Sequence, residues 1–426
     1  MKLYISVLLI FFCFTKIFAQ RKVNVKQLRS KFVLSKSRVN FKNELRETFK
    51  QTFAAELNNK TEKLWKAAFN KAENAYFKST AIYSALKTAL NNYQNRKSKF
   101  IYAAIETSSS LYPNSFSVEI NKIFESTENA KVFCIAANYL INNHYSERTS
   151  KFYAKELTKR FKRWELNPTL KIFHEFLLHP KKEWLKKIPS LVDLLKYPVQ
   201  NNKTIIYTLF RNDRNFPGIT IIKGPDGKFL RTKNGSIFHI EQLGKSLANL
   251  HGFLSNGNTP EGIFSIVGWY ITPTESIGPT PNVLTRLPFE VDPQVYYHNK
   301  NYTNWKIEDY KNLLPKSWRN FFPMQEAFYA GKSGRKLLIM HGSTDDLTFY
   351  KNQPYYPHTP TQGCISSIEL WNESTGKCIR SDQAKLMNAF FSTGVLEGFL
   401  IVVNIDDKKA PVTLDELKSL ILKAEE

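Results

Sequence analysis

The stretch His341–Ser366, HGSTDDLTFYKNQPYYPHTPTQGCIS, decides how this chain is read. It begins directly after an apolar run, Leu337-Leu338-Ile339-Met340, and closes on Thr361-Gln362-Gly363-Cys364-Ile365-Ser366. Such a run predicts a buried strand, with His341 at its end. A cysteine is nucleophilic only as its thiolate, so it needs a base, and a histidine can be one. The glycine before Cys364 lets substrate and backbone approach the sulfur closely. The sequence therefore predicts cysteine acyl-transfer chemistry, with Cys364 as nucleophile and His341 as base. The N–H groups around Gly363 and Cys364 are the candidates for an oxyanion hole.

Two further blocks extend the pattern. Upstream stands Asn256-Gly257-Asn258-Thr259-Pro260-Glu261-Gly262-Ile263-Phe264-Ser265-Ile266, and downstream the apolar Gly398-Phe399-Leu400-Ile401-Val402-Val403. In this order the blocks resemble the L,D-transpeptidase catalytic domain of bacterial cell walls, over residues 200–405. That family carries a Gly-x-x-Thr-Pro-x-Gly-x-Phe strand, an apolar strand ending in His-Gly, a loop, and then Ser/Thr-x-Gly-Cys. The chain departs from it in three places. The 23 positions from His341 to Cys364 are more than is common, Gln362 stands where many members have a second histidine, and Ser366 where many have arginine.

The resemblance implies a peptidoglycan stem tetrapeptide as donor. Cys364 would attack the carbonyl before its terminal D-residue, and an acceptor amine would resolve the thioester into a 3–3 cross-link. Water as acceptor would make an L,D-carboxypeptidase, and a protein amine would give anchoring to the wall. A non-catalytic wall-binding protein that keeps the fold is the rival from another class. A sortase-like enzyme fits less well, since its cysteine usually follows threonine. The resemblance also implies that a carbonyl or polar group orients His341, with Ser343 and Thr361 as candidates beside Gly363. Thr259, Gly342 and Ser366 are candidates for substrate contact. Arg380 or Arg335 would take the substrate carboxylate in place of the missing arginine. No cofactor and no metal are implied, and a carbapenem would be a covalent inhibitor.

Composition sets the context. The start, Met1–Gln20, has a short basic end and an apolar core closing on the small Ala19, which predicts a signal peptide over 1–19 and an exported, periplasmic or cell-envelope protein. The mature chain then holds three cysteines, Cys134, Cys364 and Cys378, and an odd count leaves at least one thiol free. A Cys364–Cys378 disulfide is the arrangement that would silence the enzyme. The formal charge of +24 favours anionic partners, here a wall polymer or membrane surface, with nucleic acid excluded by export. His174-Glu175 with His179 mimics a zinc-protease helix, but histidines five apart point to different sides of it.

Residues 20–198 read as an all-α helical module. Phe41, Leu45, Phe49 and Phe53 recur four apart, and glycine is absent from 21 to 195. From 199 to 406 the texture turns β-branched and turn-rich, which predicts the mainly β catalytic domain. Its Pro-rich stretch, 272–335, is expected as an insert with helical parts that walls the cleft. Thr413 and Glu416 form a capping box opening a C-terminal helical tail within 407–426. The fold class expected is thus α+β and multi-domain.

Overall fold

The computed structural model describes residues 22–426, so the expected signal peptide lies outside the described residues. The chain is α+β. Helices come first, between Ser35 and Lys196, and the first strand opens at Thr204. The helix Ser35–Ala54 buries Leu45 and Phe49, the face marked by the four-residue spacing. Phe53 packs edge-on against Trp65 of the helix Glu62–Asn74, with ring centroids 5.0 Å apart. The helix Ala130–Asn143 is buried without a break from Val132 to Ile141, so it is the centre of this layer and not its rim. Asn167 caps the helix Pro168–Leu178 by accepting from Thr169 N and Leu170 N. Pro168 fits its first turn, where no N–H donor is needed.

Ten strands follow: β1 (Thr204–Arg211), β2 (Gly218–Lys223), β3 (Ile240–Leu243), β4 (Gly262–Tyr270), β5 (Asn282–Arg286), β6 (Met340–His341), β7 (Ile365–Ser367), β8 (Glu369–Trp371), β9 (Cys378–Ser381) and β10 (Gly398–Asp406). Eight of them close into a barrel in the order β1-β10-β4-β5-β6-β7-β3-β2, and β8 and β9 form a separate two-stranded sheet. β1 pairs with β10 and β6 with β7 in parallel, and the other barrel neighbours are antiparallel. Closure removes the free edges a short mixed sheet would expose. β1 is buried at every position, which explains its uninterrupted β-branched and aromatic sequence.

One boundary differs from expectation. β5 lies inside the stretch 272–335 and is a barrel strand, so that stretch is not one insert. Four of its five residues pair with β4, and Val283 also pairs with Met340 of β6. The prolines that flank it disguised it. The helical part begins after it, with the short helices Pro293–Tyr296, Ile307–Lys311 and Glu326–Lys332. The C-terminal helix Leu414–Lys423 opens with the expected Thr413/Glu416 capping box.

The N-terminal helices grip the barrel through polar contacts. Tyr102 donates to Ser255 O at 3.0 Å, His251 N to Asn138 Oδ1 at 3.1 Å, and Lys181 Nζ to Glu326 Oε2 at 2.6 Å. Arg38 pairs with Glu373, and Lys42 Nζ with Asp346 Oδ2 at 3.1 Å, so the first long helix reaches the loop after His341.

Candidate active site

The β6–β7 pairing sets His341 and the segment after Cys364 on neighbouring strands. Met340 lies opposite Ile365 and His341 opposite Ser366. Cys364 therefore precedes the paired strand, two residues before His341's partner. Cys364 itself lies just outside β7, and its thiol contacts Leu337 O and not the imidazole.

His341 Nδ1 contacts the carbonyl oxygen of Gly342. A carbonyl can only accept, so Nδ1 carries the proton and Nε2 keeps the lone pair. Burial pushes the imidazole down to about 4, while the Gly342 bond works in the opposite direction. At neutral pH it is an uncharged base. The group that orients it is the neighbouring backbone carbonyl. Ser343 and Thr361 are engaged elsewhere: Ser343 Oγ accepts from Asp345 N at 3.1 Å, and Thr361 Oγ1 accepts from Gly363 N and donates to Cys364 O, both at 2.9 Å.

Cys364 is half-buried, and its Sγ lies 3.6 Å from Leu337 O as a weak donor. Burial pushes the thiol up to about 11. A backbone bond at Ile339 and the charge of Arg335 pull the other way, and Glu290 adds to the rise. The resting pair is therefore a neutral thiol and a neutral imidazole, with no hydrogen bond between them among the described residues. Cys134 and Cys378 are buried, and all three thiols are free.

The Thr-Pro block and the Gly-Cys block are joined directly. Thr259 Oγ1 donates to Gly363 O at 2.8 Å, and Thr259 is buried. Arg335 supplies the second link. Its guanidinium binds the carbonyls of Gly252, Gly257 and Asn258, and reaches Gln362 O at 3.4 Å. Gly363 has φ +104°, and a Cβ there would stand 1.8 Å from Arg335 Nη2 and 2.3 Å from Gly257 O. Only glycine fits both the backbone and the space. The Gly363 N–H is committed to Thr361, which leaves the Cys364 N–H as the oxyanion candidate of the pair.

The remaining expected residues fall into place as follows. Gly342 lies against the buried Glu369, whose carboxyl would meet a Cβ at 2.2 Å. Glu369 Oε1 accepts from Thr280 Oγ1 and Ser381 Oγ, and burial pushes this carboxyl up to about 7. Ser366 is fully buried and donates to Thr359 O at 2.6 Å, so it braces the loop and does not face a substrate. Arg380 sits on β9 in the small sheet, bound to Asp382 Oδ2 at 2.6 Å. Neither it nor the enclosed Arg335 offers a free guanidinium edge beside the thiol. Gln362 donates through Nε2 to Asn74 of the helix Glu62–Asn74, so the departure at this position is a contact with the helical layer. His358 is buried, 3.9 Å from Glu241, and not at the thiol.

Sequence reasoning missed the wall formed by Leu337, Glu290, Arg286 and Tyr270. Leu337 adopts φ +62°, an uncommon conformation for leucine, and its N–H donates to Glu290 Oε1 at 3.1 Å. A cleft of about 1130 Å³ lies among the N-terminal helices, lined by Lys42, Arg46, Phe53 and Trp65, and neither Cys364 nor His341 lines it. Comparison with family models, curated proteins and solved structures finds no match to the chain.

Proposed function

We propose that this chain is an exported cysteine acyltransferase acting on peptidoglycan stem tetrapeptides, with an N-terminal all-α module ahead of a mainly β, L,D-transpeptidase-like catalytic domain. The observation that carries the reading is the joining of three sequence blocks at one point. Thr259 holds the Gly363 carbonyl, and Cys364 stands directly before the strand that pairs with His341, whose Nε2 is an open acceptor.

In this mechanism the donor displaces the Sγ contact with Leu337 O, and the thiol turns toward Nε2. Active-site hydrogen bonds are often absent until substrate arrives. Nε2 takes the proton as sulfur attacks the carbonyl before the terminal D-residue. The Cys364 N–H faces the developing oxyanion. Collapse breaks the C–N bond, and His341 returns the proton to the leaving amine. An acceptor amine then attacks the thioester and forms the 3–3 cross-link, while water in its place yields the tripeptide.

A second reading is a non-catalytic wall-binding protein. Its support is the thiol pushed up to about 11 and bonded to Leu337 O instead of to His341. Incubation of the mature protein with disaccharide-tetrapeptide, followed by mass spectrometry, separates the readings. A dimer lacking one terminal residue is the expected product, and tripeptide alone means carboxypeptidase. No product from a folded protein, with the same null result for Cys364→Ser, overturns the enzyme reading.

A further inference from the structure

We propose that the cleft among the N-terminal helices is a docking site for an acidic peptide segment of a partner protein, one that carries bulky apolar side chains. The inference does not depend on the chemistry at Cys364.

The cleft is lined from the helices Ser35–Ala54, Glu62–Asn74 and Thr80–Asn91, and Phe349 and Gln353 of the loop after His341 border it. Its volume of about 1130 Å³ exceeds the roughly 300–1,000 Å³ that holds a drug-sized molecule, so it suits a length of chain. The floor is apolar. Phe49 and Trp65 are buried there, and the Phe53 ring packs on both, with its centroid 6.0 Å from that of Phe49. Ala54, Ala81 and Ala85 line the walls, and their small side chains leave room for a larger one from outside.

The rim carries one sign of charge. Lys42, Arg46, Lys50 and Lys78 line the cleft, and among the described residues no Asp or Glu does. Lys42 pairs with Asp346, but Arg46 donates only to the neutral Asn43 Oδ1, at 2.8 Å. The side chains of Lys50 and Lys78 make no hydrogen bond or ion pair among the described residues. Three of the cations lie over rings of the same cleft. Lys42 Nζ is 4.7 Å from the Phe349 centroid, Lys78 Nζ 5.0 Å from that of Tyr76, and the Arg46 guanidinium 5.9 Å from that of Phe77. A ring attracts a cation without neutralising it, so the positive charge remains for an anion. A cleft lined by one sign focuses that field on what enters it.

These features choose the occupant. A second copy of a chain with a formal charge of +24 is repelled. An acidic glycan would satisfy the rim, but it has no side chains to fill the apolar floor, and the rings of Phe349, Tyr76 and Phe77 already carry a cation. An acidic peptide supplies both parts, carboxylates for the rim and apolar anchors for the recess.

The test titrates the mature protein into a labelled peptide that alternates glutamate with leucine and phenylalanine, and reads fluorescence anisotropy. The wild type is expected to hold this peptide at least about tenfold more tightly than its glutamine counterpart, with affinity falling as salt rises. Arg46→Gln combined with Lys50→Gln should weaken binding by about five- to tenfold. Ala81→Trp, which fills the cleft from an exposed helical position, should abolish it. Lys87→Gln removes an exposed charge of the same layer outside the cleft and should change nothing. All three variants alter exposed positions, and far-UV circular dichroism checks that each keeps its helices. Equal affinity for the glutamine peptide, binding that survives Ala81→Trp, or an equal loss in Lys87→Gln overturns the proposal. So does the absence of peptide binding, and an oligogalacturonate that binds where the peptide does not would make the cleft a glycan site.

Discussion

Thr259 Oγ1 donates to the carbonyl oxygen of Gly363 across 2.8 Å, and this buried bond fixes the residue in front of Cys364 to the segment leading into β4. Thr259→Val keeps the shape and removes the donor. The Gly363 carbonyl then loses its partner in a site water does not reach, which costs about 1–3 kcal/mol. Urea unfolding should show that loss, and acylation of Cys364 should slow with it. Thr259→Ser restores the donor and should recover most of both. Wild-type stability and wild-type acylation in the valine variant would mean the bond positions nothing.

Gly363 tests the packing around the same turn. Its φ of +104° penalises any side chain, and the Arg335 guanidinium leaves no room for one. Gly394 shares the first property and lacks the second, with φ +70° and open space where a Cβ would stand. Gly394→Ala should therefore cost about 1 kcal/mol, the backbone penalty alone. Gly363→Ala should cost at least about 3 kcal/mol, because Arg335 must leave carbonyls that have no other partner. Matched denaturation curves read the difference, and equal losses would show that Arg335 yields freely.

These residues also mark how far sequence reaches. The strand end at His341 and the glycine turn ahead of Cys364 were legible because both signals are local. The helices between Ser35 and Lys196 were legible from four-residue spacing and the lack of glycine. β5 was not, because five residues between prolines carry too little periodicity to stand out. Arg335 reads as one more basic residue in a turn, and only the folded chain shows its guanidinium inside a ring of carbonyls. The left-handed conformation of Leu337 has no sequence signal at all, since leucine is a residue that seldom adopts it. The imidazole's partner was illegible for a related reason. It is a backbone carbonyl, a group that every residue carries.

Glu369 gives the site a pH-dependent foundation. This carboxyl packs on Gly342 and is pushed up to about 7 from an ordinary 4.5. A raised carboxyl stabilises the fold below its unfolded value, and that contribution is lost as pH rises through the folded one. Between pH 5 and pH 8 the wild type should lose stability from this group. Glu369→Gln keeps a hydrogen-bonding side chain and cannot ionise. Its stability relative to wild type should improve over that window by on the order of 2 kcal/mol. Asp345 and Glu73 are also pushed up to about 7, so both proteins keep a shared slope and only their difference reports Glu369. A difference that stays flat from pH 5 to pH 8 would show that Glu369 is already ionised in the fold.

The charge state of the Cys364–His341 pair is the last and most direct test of the chemistry. With the imidazole pushed down to about 4 and the thiol up to about 11, both are neutral across the range between. A thiolate–imidazolium pair would alkylate at a rate nearly independent of pH once above the cysteine's depressed value. A neutral pair whose imidazole takes the proton as sulfur attacks is also flat, from pH 5 to about pH 8, but it slows in deuterium oxide because the proton moves in that step. His341→Ala separates the two routes by which the thiol loses its proton. The variant keeps only the thiolate route, whose rate rises about tenfold per pH unit, and near pH 7 it should be slower by about 100-fold, the low end of what a positioned base supplies. Above pH 10, where hydroxide does the same work, the two rates should converge. A flat wild-type rate with no slowing in deuterium oxide would replace the neutral pair with an ion pair. Equal rates at pH 7 with and without the imidazole would remove His341 as the base.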